Sequence, residues 1–140
     1  SRSWTEDSRY RELTRLVSEV DLLSLHVPAK QDTYHLINSG VLNAMKSSAY
    51  LVNVARGSVV DQEALVQALS ERRIAGAVLD VFENEPEVPE TLRRMPNVLV
   101  TPHIAGGTVE ARKRAQSLAV SNVVAVLSGK EPHTPVNAPR

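Results

Sequence analysis

The chain has 140 residues, with sixteen Lys and Arg balancing sixteen Asp and Glu, and no cysteine. Such a length suits one domain with a real core, while the balanced charge supplies no field to draw it to nucleic acid or to an anionic membrane. Without cysteine there are no disulfides, no thiolate chemistry and no Cys-type metal sites, a composition that fits a reducing, cytoplasmic setting.

The apolar runs fall far short of the ~20 residues needed to span a bilayer, and the opening "SRSWTEDSRYRE" is too polar for a signal peptide. Ser rather than Met stands first, which predicts further sequence upstream. From about Ser8 to Val20, the residues Leu13, Leu16, Val17 and Val20 form the apolar stripe of an amphipathic helix. "DLLSLHVP" then reads as a strand stopped by proline, and "SGVLNAMK" as a short helix capped by Ser39. A second strand follows in "AYLVNV". The next helix takes Asp61 as N-cap, Ala64, Leu65, Ala68 and Leu69 as inner face, and Gly76 as its stop. "GAVLDVF" and "NVLVTP" read as strands on either side of the proline-spaced "ENEPEVPETLRRMP". Last, Thr108 caps a long helix ended by Gly129, with a proline-rich tail over 130–140.

Strands alternating with helices predict βαβ units, a parallel sheet and right-handed crossovers. Four strands apolar on both faces predict a sheet covered by helices on each side. In such sheets ligands lie beyond the carboxyl ends of the strands, so the polar residues closing each run are the candidates. They are His26 after the first, Asn53 and Arg56 around the second, Asp80, Glu83 and Glu85 in and after the third, and His103 after the fourth. Each has an ordinary structural reading. His26 suits the edge of a core, Arg56 a surface turn, and Glu85 a solvated loop. Asp80 is harder to explain that way, because a carboxylate in a buried strand needs a partner. His103 stands between Pro102 and the pair Gly106-Gly107, which let backbone approach a ligand closely. Together they set an arginine, carboxylates and an imidazole on one sheet edge. His35 and His133 show no metal-ligand spacing, and no metal site is expected.

The ordered segments "SLHVPAKQDTYHLIN", "LVNVARGSVVD", "GAVLDVFENEP" and "VLVTPHIAGGT" resemble the successive signatures of the D-isomer-specific 2-hydroxyacid dehydrogenases, over nearly the whole chain. The resemblance implies an α/β, partial Rossmann-like doubly wound parallel sheet: the second half of a dinucleotide-binding domain, residues 1–129, with its long C-terminal helix. It implies a catalytic Arg56, Glu85 and His103, with Glu85 preferred to Glu83 as the acid directly before the proline. It further implies that Val27, Val54, Ala55, Arg56, Asp80, His103, Ile104, Ala105 and Gly106 meet the nicotinamide and its ribose. NAD or NADP would be the cofactor, a small 2-oxo or 2-hydroxy acid the substrate, and a homodimer the assembly.

Physical chemistry supports those roles. A guanidinium fork holds the carboxylate of a 2-oxo acid, which suits Arg56. An imidazolium can supply the proton that a carbonyl oxygen needs after hydride arrives at its carbon, which suits His103. A carboxylate beside that ring orients it and favours its charged form, which suits Glu85. Asp80 would hydrogen-bond the carboxamide and fix which ring face meets the substrate.

The family's GxGxxG turn does not occur here, and "IAGGT" does not replace it. The chain is accordingly read as a fragment of a larger enzyme and expected to be inactive alone. Arg2 and Ser3 could meet a 2′-phosphate, or be two solvated residues. The alternative reading is a non-enzymatic nucleotide-binding relative, such as a corepressor-like scaffold.

Overall fold

A computed structural model describes residues 12–136. They fall into two compact units dividing after His103.

The first unit is built on four parallel strands in the order β1 (Leu22–Leu25), β2 (Tyr50–Asn53), β3 (Gly76–Leu79) and β4 (Val98–Val100). Helix α1 (Leu13–Glu19) precedes β1, and α2 (Ser39–Ala44), α3 (Gln62–Ser70) and α4 (Glu90–Arg94) connect the successive strands. Single 3₁₀ turns occupy Gln31–Thr33 and Gly57–Val59. The apolar runs form strands where expected, although Val81 and Phe82 lie beyond the end of β3. Of the first predicted helix, the described part is helical from Leu13, and the rest of that stretch lies outside the described residues.

Burial alternates along the strands rather than being continuous. Leu23, Leu25, Leu51, Asn53, Ala77 and Leu79 are buried, together with Val17, Leu42, Leu65 and Leu69 from the helices. On the opposite face Leu22, Tyr50 and Leu99 are exposed. Within this unit one face of the sheet carries the core.

Two helix-end assignments are also corrected. The side chain of Asn38, not Ser39, accepts the backbone N–H of Val41 at 3.1 Å, so Ser39 is the first helical residue of α2. Helix α3 begins as expected, with Asp61 accepting from the N–H of Ala64 at 3.0 Å. It does not run to Gly76, which opens β3. Arg72 takes a left-handed conformation, φ 52°, and a Schellman pair closes the helix there: Arg73 N–H donates to the Ala68 carbonyl at 2.7 Å and Arg72 N–H to that of Leu69 at 3.2 Å.

In the second unit, Gly107 N–H donates to the Ile104 carbonyl at 2.8 Å. Thr108 caps α5 (Val109–Leu127) by accepting from the Ala111 N–H at 3.1 Å. The helix stops at Gly129 as expected. Gly129 adopts φ 71°, where a side chain would be strained, and Lys130 N–H closes back on the Ala125 carbonyl at 2.9 Å. Asn122 and Thr134 then tie the following segment to the helix through two hydrogen bonds of 2.9 and 3.2 Å. Among the described residues no helix is long and apolar enough to cross a membrane.

Candidate active site

Parallel register sets Leu25 beside Asn53, Asn53 beside Leu79 and Leu79 beside Val100. All four strands thus end on one line, and the residues that follow them form one rim.

After β2 the rim is shaped by a buried amide. Asn53 is enclosed, its Oδ1 accepting from the Ala55 N–H at 3.0 Å and its Nδ2 donating to the Arg56 carbonyl at 3.1 Å. One side chain thereby holds the turn that carries Arg56. The Arg56 Nη1 donates to the Ala55 carbonyl at 2.6 Å. Gly57 follows because nothing larger fits: a Cβ there would lie 2.0 Å from the carbonyl carbon of Phe82.

After β3 comes Asp80, only 3% exposed. Its Oδ1 accepts from the Thr101 hydroxyl at 2.5 Å, and its backbone carbonyl accepts from the His103 N–H at 3.0 Å. The buried carboxylate predicted from the strand pattern is therefore hydrogen-bonded to the segment after β4. The loop continues to Glu85, whose Oε1 accepts from the Phe82 N–H at 3.0 Å. Its Oε2 meets the Nδ1 of His103 at 2.7 Å. His103 stands at φ 53°, a left-handed conformation that histidine tolerates better than most residues.

The electrostatics follow from this geometry. The His103 hydrogen bond, then the Phe82 amide, then the charges of His103 and Arg56 hold the Glu85 carboxyl below the usual carboxylate range, against the opposing effect of its partial burial.

Glu85 and His103 share a cleft of about 290 Å³ lined also by Asp80, Phe82, Pro86, Val88 and Pro102. Arg56 lines a separate open depression of about 520 Å³ with His26, Val27, Pro28, Ala29, Val54 and Ala55. The structure thus joins Glu85, His103 and Asp80 directly, while Arg56 acts on Glu85 through space. Ile104, Ala105 and Gly106 open the second unit. Arg2 and Ser3 lie outside the described residues.

A buried carboxylate beside apolar walls is the donor set a nicotinamide needs, because the acid can accept from a carboxamide while the walls take the ring. Asp80 lines the cleft that Glu85 and His103 share, whereas Val27, Val54 and Ala55 line the separate depression beside Arg56. Among the described residues no cluster of three or more His, Cys, Asp or Glu is arranged to hold a metal ion.

Sequence reasoning did not find Thr101 as the partner of Asp80, although a threonine closing the neighbouring strand in a parallel register was the available signal. Nor did it find that His35 pairs with Glu83, at 2.5 Å. The histidine lies forty-eight residues from that partner, and no local spacing reveals it.

The comparisons with known proteins agree with one another. Residues 2–105 match the family described as D-isomer specific 2-hydroxyacid dehydrogenase, NAD binding domain. A glyoxylate reductase of Thermofilum pendens is 52% identical over 129 residues, which are 91% of this chain and 38% of the relative. A hydroxyphenylpyruvate reductase of Plectranthus scutellarioides is 45% identical over 132 residues, 94% of this chain and 42% of the relative. Among solved structures, an NADPH-dependent glyoxylate/hydroxypyruvate reductase from Sinorhizobium meliloti, in complex with NADP and malonate, superposes with a TM-score of 0.83 at 46% identity, covering 89% of this chain and 39% of that one. The holo D-mandelate dehydrogenase of Rhodotorula graminis gives 0.87 at 36% identity, covering 92% and 38%. The chain spans about two fifths of the length of the relatives it matches. Motif order, the parallel half-sheet and these likenesses converge, and the chain belongs to the D-isomer specific 2-hydroxyacid dehydrogenases, as a Rossmann-like part of their NAD binding domain.

Proposed function

We propose that the full-length protein containing this chain interconverts a small 2-oxo acid and its D-2-hydroxy acid, with glyoxylate or hydroxypyruvate as first candidate and NAD or NADP as cofactor. The observation that carries this reading is the 2.7 Å contact between His103 Nδ1 and Glu85, in the cleft that Asp80 also lines.

With Nδ1 facing Glu85, Nε2 is the ring nitrogen left for the substrate oxygen. When bound, the reduced nicotinamide supplies a hydride to the carbonyl carbon. His103 would deliver the proton that the substrate oxygen takes up. In the oxidative direction His103 accepts the proton from the hydroxyl. Glu85 fixes the orientation of the imidazole through its contact with Nδ1. Arg56 holds the substrate carboxylate through its guanidinium fork. Asp80, steadied by Thr101, would accept from the carboxamide. Val27, Val54 and Ala55 would line the ring.

Residues 1–129 form the second half of the cofactor domain in this reading, with 130–140 as a tail. Homodimer assembly and a cytoplasmic location complete it, tested by light scattering and cell fractionation. Turnover is the decisive measurement. The full-length protein with NADH or NADPH is expected to reduce glyoxylate, hydroxypyruvate or another member of a 2-oxo acid panel. Coenzyme binding without reduction of any panel member would overturn the enzymatic reading in favour of a nucleotide-binding scaffold.

A further inference from the structure

We propose that His35 and Glu83 form a second clamp on the loop that carries Glu85, making His35 a positioning residue for the proton-transferring pair. The kinetic part of this inference rests on the function proposed above.

Glu83 and Glu85 stand two residues apart on the loop after β3, and each meets its own imidazole. Glu85 meets His103 at 2.7 Å, and Glu83 meets the Nε2 of His35 at 2.5 Å. The second pair is the more covered, with side-chain exposures of 30% for His35 and 22% for Glu83 against 48% for His103 and 35% for Glu85. Covered charge-assisted hydrogen bonds are screened little by water and fix geometry well.

The His35 ring is itself held on several sides. Its backbone N–H donates to the Ser58 carbonyl at 2.9 Å. Two residues on, Ile37 N–H donates to the Val59 carbonyl at 3.0 Å, and Asp61 N–H returns to the Ile37 carbonyl at 3.0 Å. Tyr34 stacks on the ring with centroids 4.0 Å apart. Asp61, the cap of α3, places Oδ2 4.0 Å from His35 Nδ1 and is the other charged group facing it. His35 is thus stitched to the segment directly after Arg56, and its side chain reaches across to the Glu85 loop. Gly57 brings the same two segments together from behind, at the Phe82 carbonyl.

The backbone supports a dedicated placement. His35 adopts φ 48°, left-handed like His103 at φ 53°. A non-glycine residue persists in that region when its surroundings over-determine it. The turn between the two glutamates is otherwise closed by few bonds: Phe82 N–H to Glu85 at 3.0 Å and Glu87 N–H to the Asn84 carbonyl at 2.9 Å. Removing the Glu83 anchor frees the turn that aims Glu85 at His103.

The test uses the full-length protein and the variants Glu83→Ala, Glu83→Gln and His35→Asn. Asparagine accepts left-handed backbone but is too short to reach Glu83, so it separates the ring from the conformation. Expected for Glu83→Ala and His35→Asn is a fall in kcat of about 10-fold, since small misplacement of a catalytic group is amplified in rate. The coenzyme Kd should stay within about 2-fold, and the acid limb of the kcat/KM profile should move to higher pH as Glu85 loses its hold. Glu83→Gln, which still accepts from the imidazole, should keep kcat within about 3-fold of wild type. Amide hydrogen exchange on the coenzyme-free protein should accelerate about 10-fold at Phe82 and Glu87 in Glu83→Ala and His35→Asn, and not at the strand amides. This last readout needs no turnover. If the wild-type protein reduces no 2-oxo acid, the proposed activity falls while the exchange data still judge the clamp. Unchanged kcat, acid limb and exchange in both His35→Asn and Glu83→Ala would overturn it, as would exchange that rises uniformly across the sheet.

Discussion

His103–Glu85 and His35–Glu83 are both histidine–carboxylate pairs, built on glutamates two residues apart on one loop, yet they face different surroundings. The first is half exposed and borders a cleft, whereas the second is more covered and joins three loops at their roots. A His–carboxylate contact is therefore no signature of catalysis by itself. What distinguishes the pair proposed to react is a ring edge left open to a cavity beside Asp80, and what distinguishes the proposed clamp is the density of backbone bonds around it.

The largest effect that can break this comparison is at His103. His103→Gln removes the proposed proton donor and should lower kcat by ~10²–10⁴-fold, with a far smaller effect on coenzyme affinity. Stopped-flow turnover beside fluorescence titration of NADPH checks it. If His35→Asn were equally severe, the two pairs would have exchanged roles.

Next in size is Gly57, which lets the Arg56 turn rest on the Glu85 loop. A methyl group there would overlap the Phe82 carbonyl, so Gly57→Ala should destabilise the protein by ~1–3 kcal/mol or more. A melting-temperature scan reads the loss, and unaltered melting would mean that the two loops can separate.

A smaller effect follows from charge. In the folded protein the Glu85 carboxyl lies below its ordinary range because His103 and the Phe82 amide favour the ionised form. Its contribution to stability is therefore present above the ordinary carboxylate value and is lost as pH falls through the depressed one. Glu85→Gln should flatten the acid side of the stability profile below pH ~4.3. An unchanged slope in urea titrations at successive pH values would show that Glu85 is not held as the geometry requires.

The same contrast explains what the sequence made legible. Leu23, Leu51 and Leu79 are apolar at strand spacing, and Asp61 and Thr108 are side chains that cap helices, so the strands and two helix starts were readable from local rules. Asp80 was readable because a carboxylate inside an apolar run demands a partner, and Glu85 with His103 because the resemblance ordered them. Thr101 and His35 were not, since each gains its meaning from a residue far along the chain.

Arg72 supplies the control for the two strained histidines. It shares their left-handed backbone, at φ 52°, but serves a helix end through the Arg73-to-Ala68 and Arg72-to-Leu69 bonds, which any residue's backbone can make. Its side chain is not needed for that geometry. Arg72→Gly should relieve the ~1–2 kcal/mol that left-handed backbone costs an L-residue, offset by the ~0.5–1 kcal/mol of extra chain entropy that glycine loses on folding. The net expectation is a gain of about 0.5 kcal/mol, or a rise of ~1–2 °C in melting temperature, with kcat unchanged. Glycine at 35 would relieve the same strain and still lose rate, because there the ring is what the backbone conformation serves. A gain in stability at 72 paired with a loss of turnover at 35 separates strain that ends a helix from strain that aims a side chain.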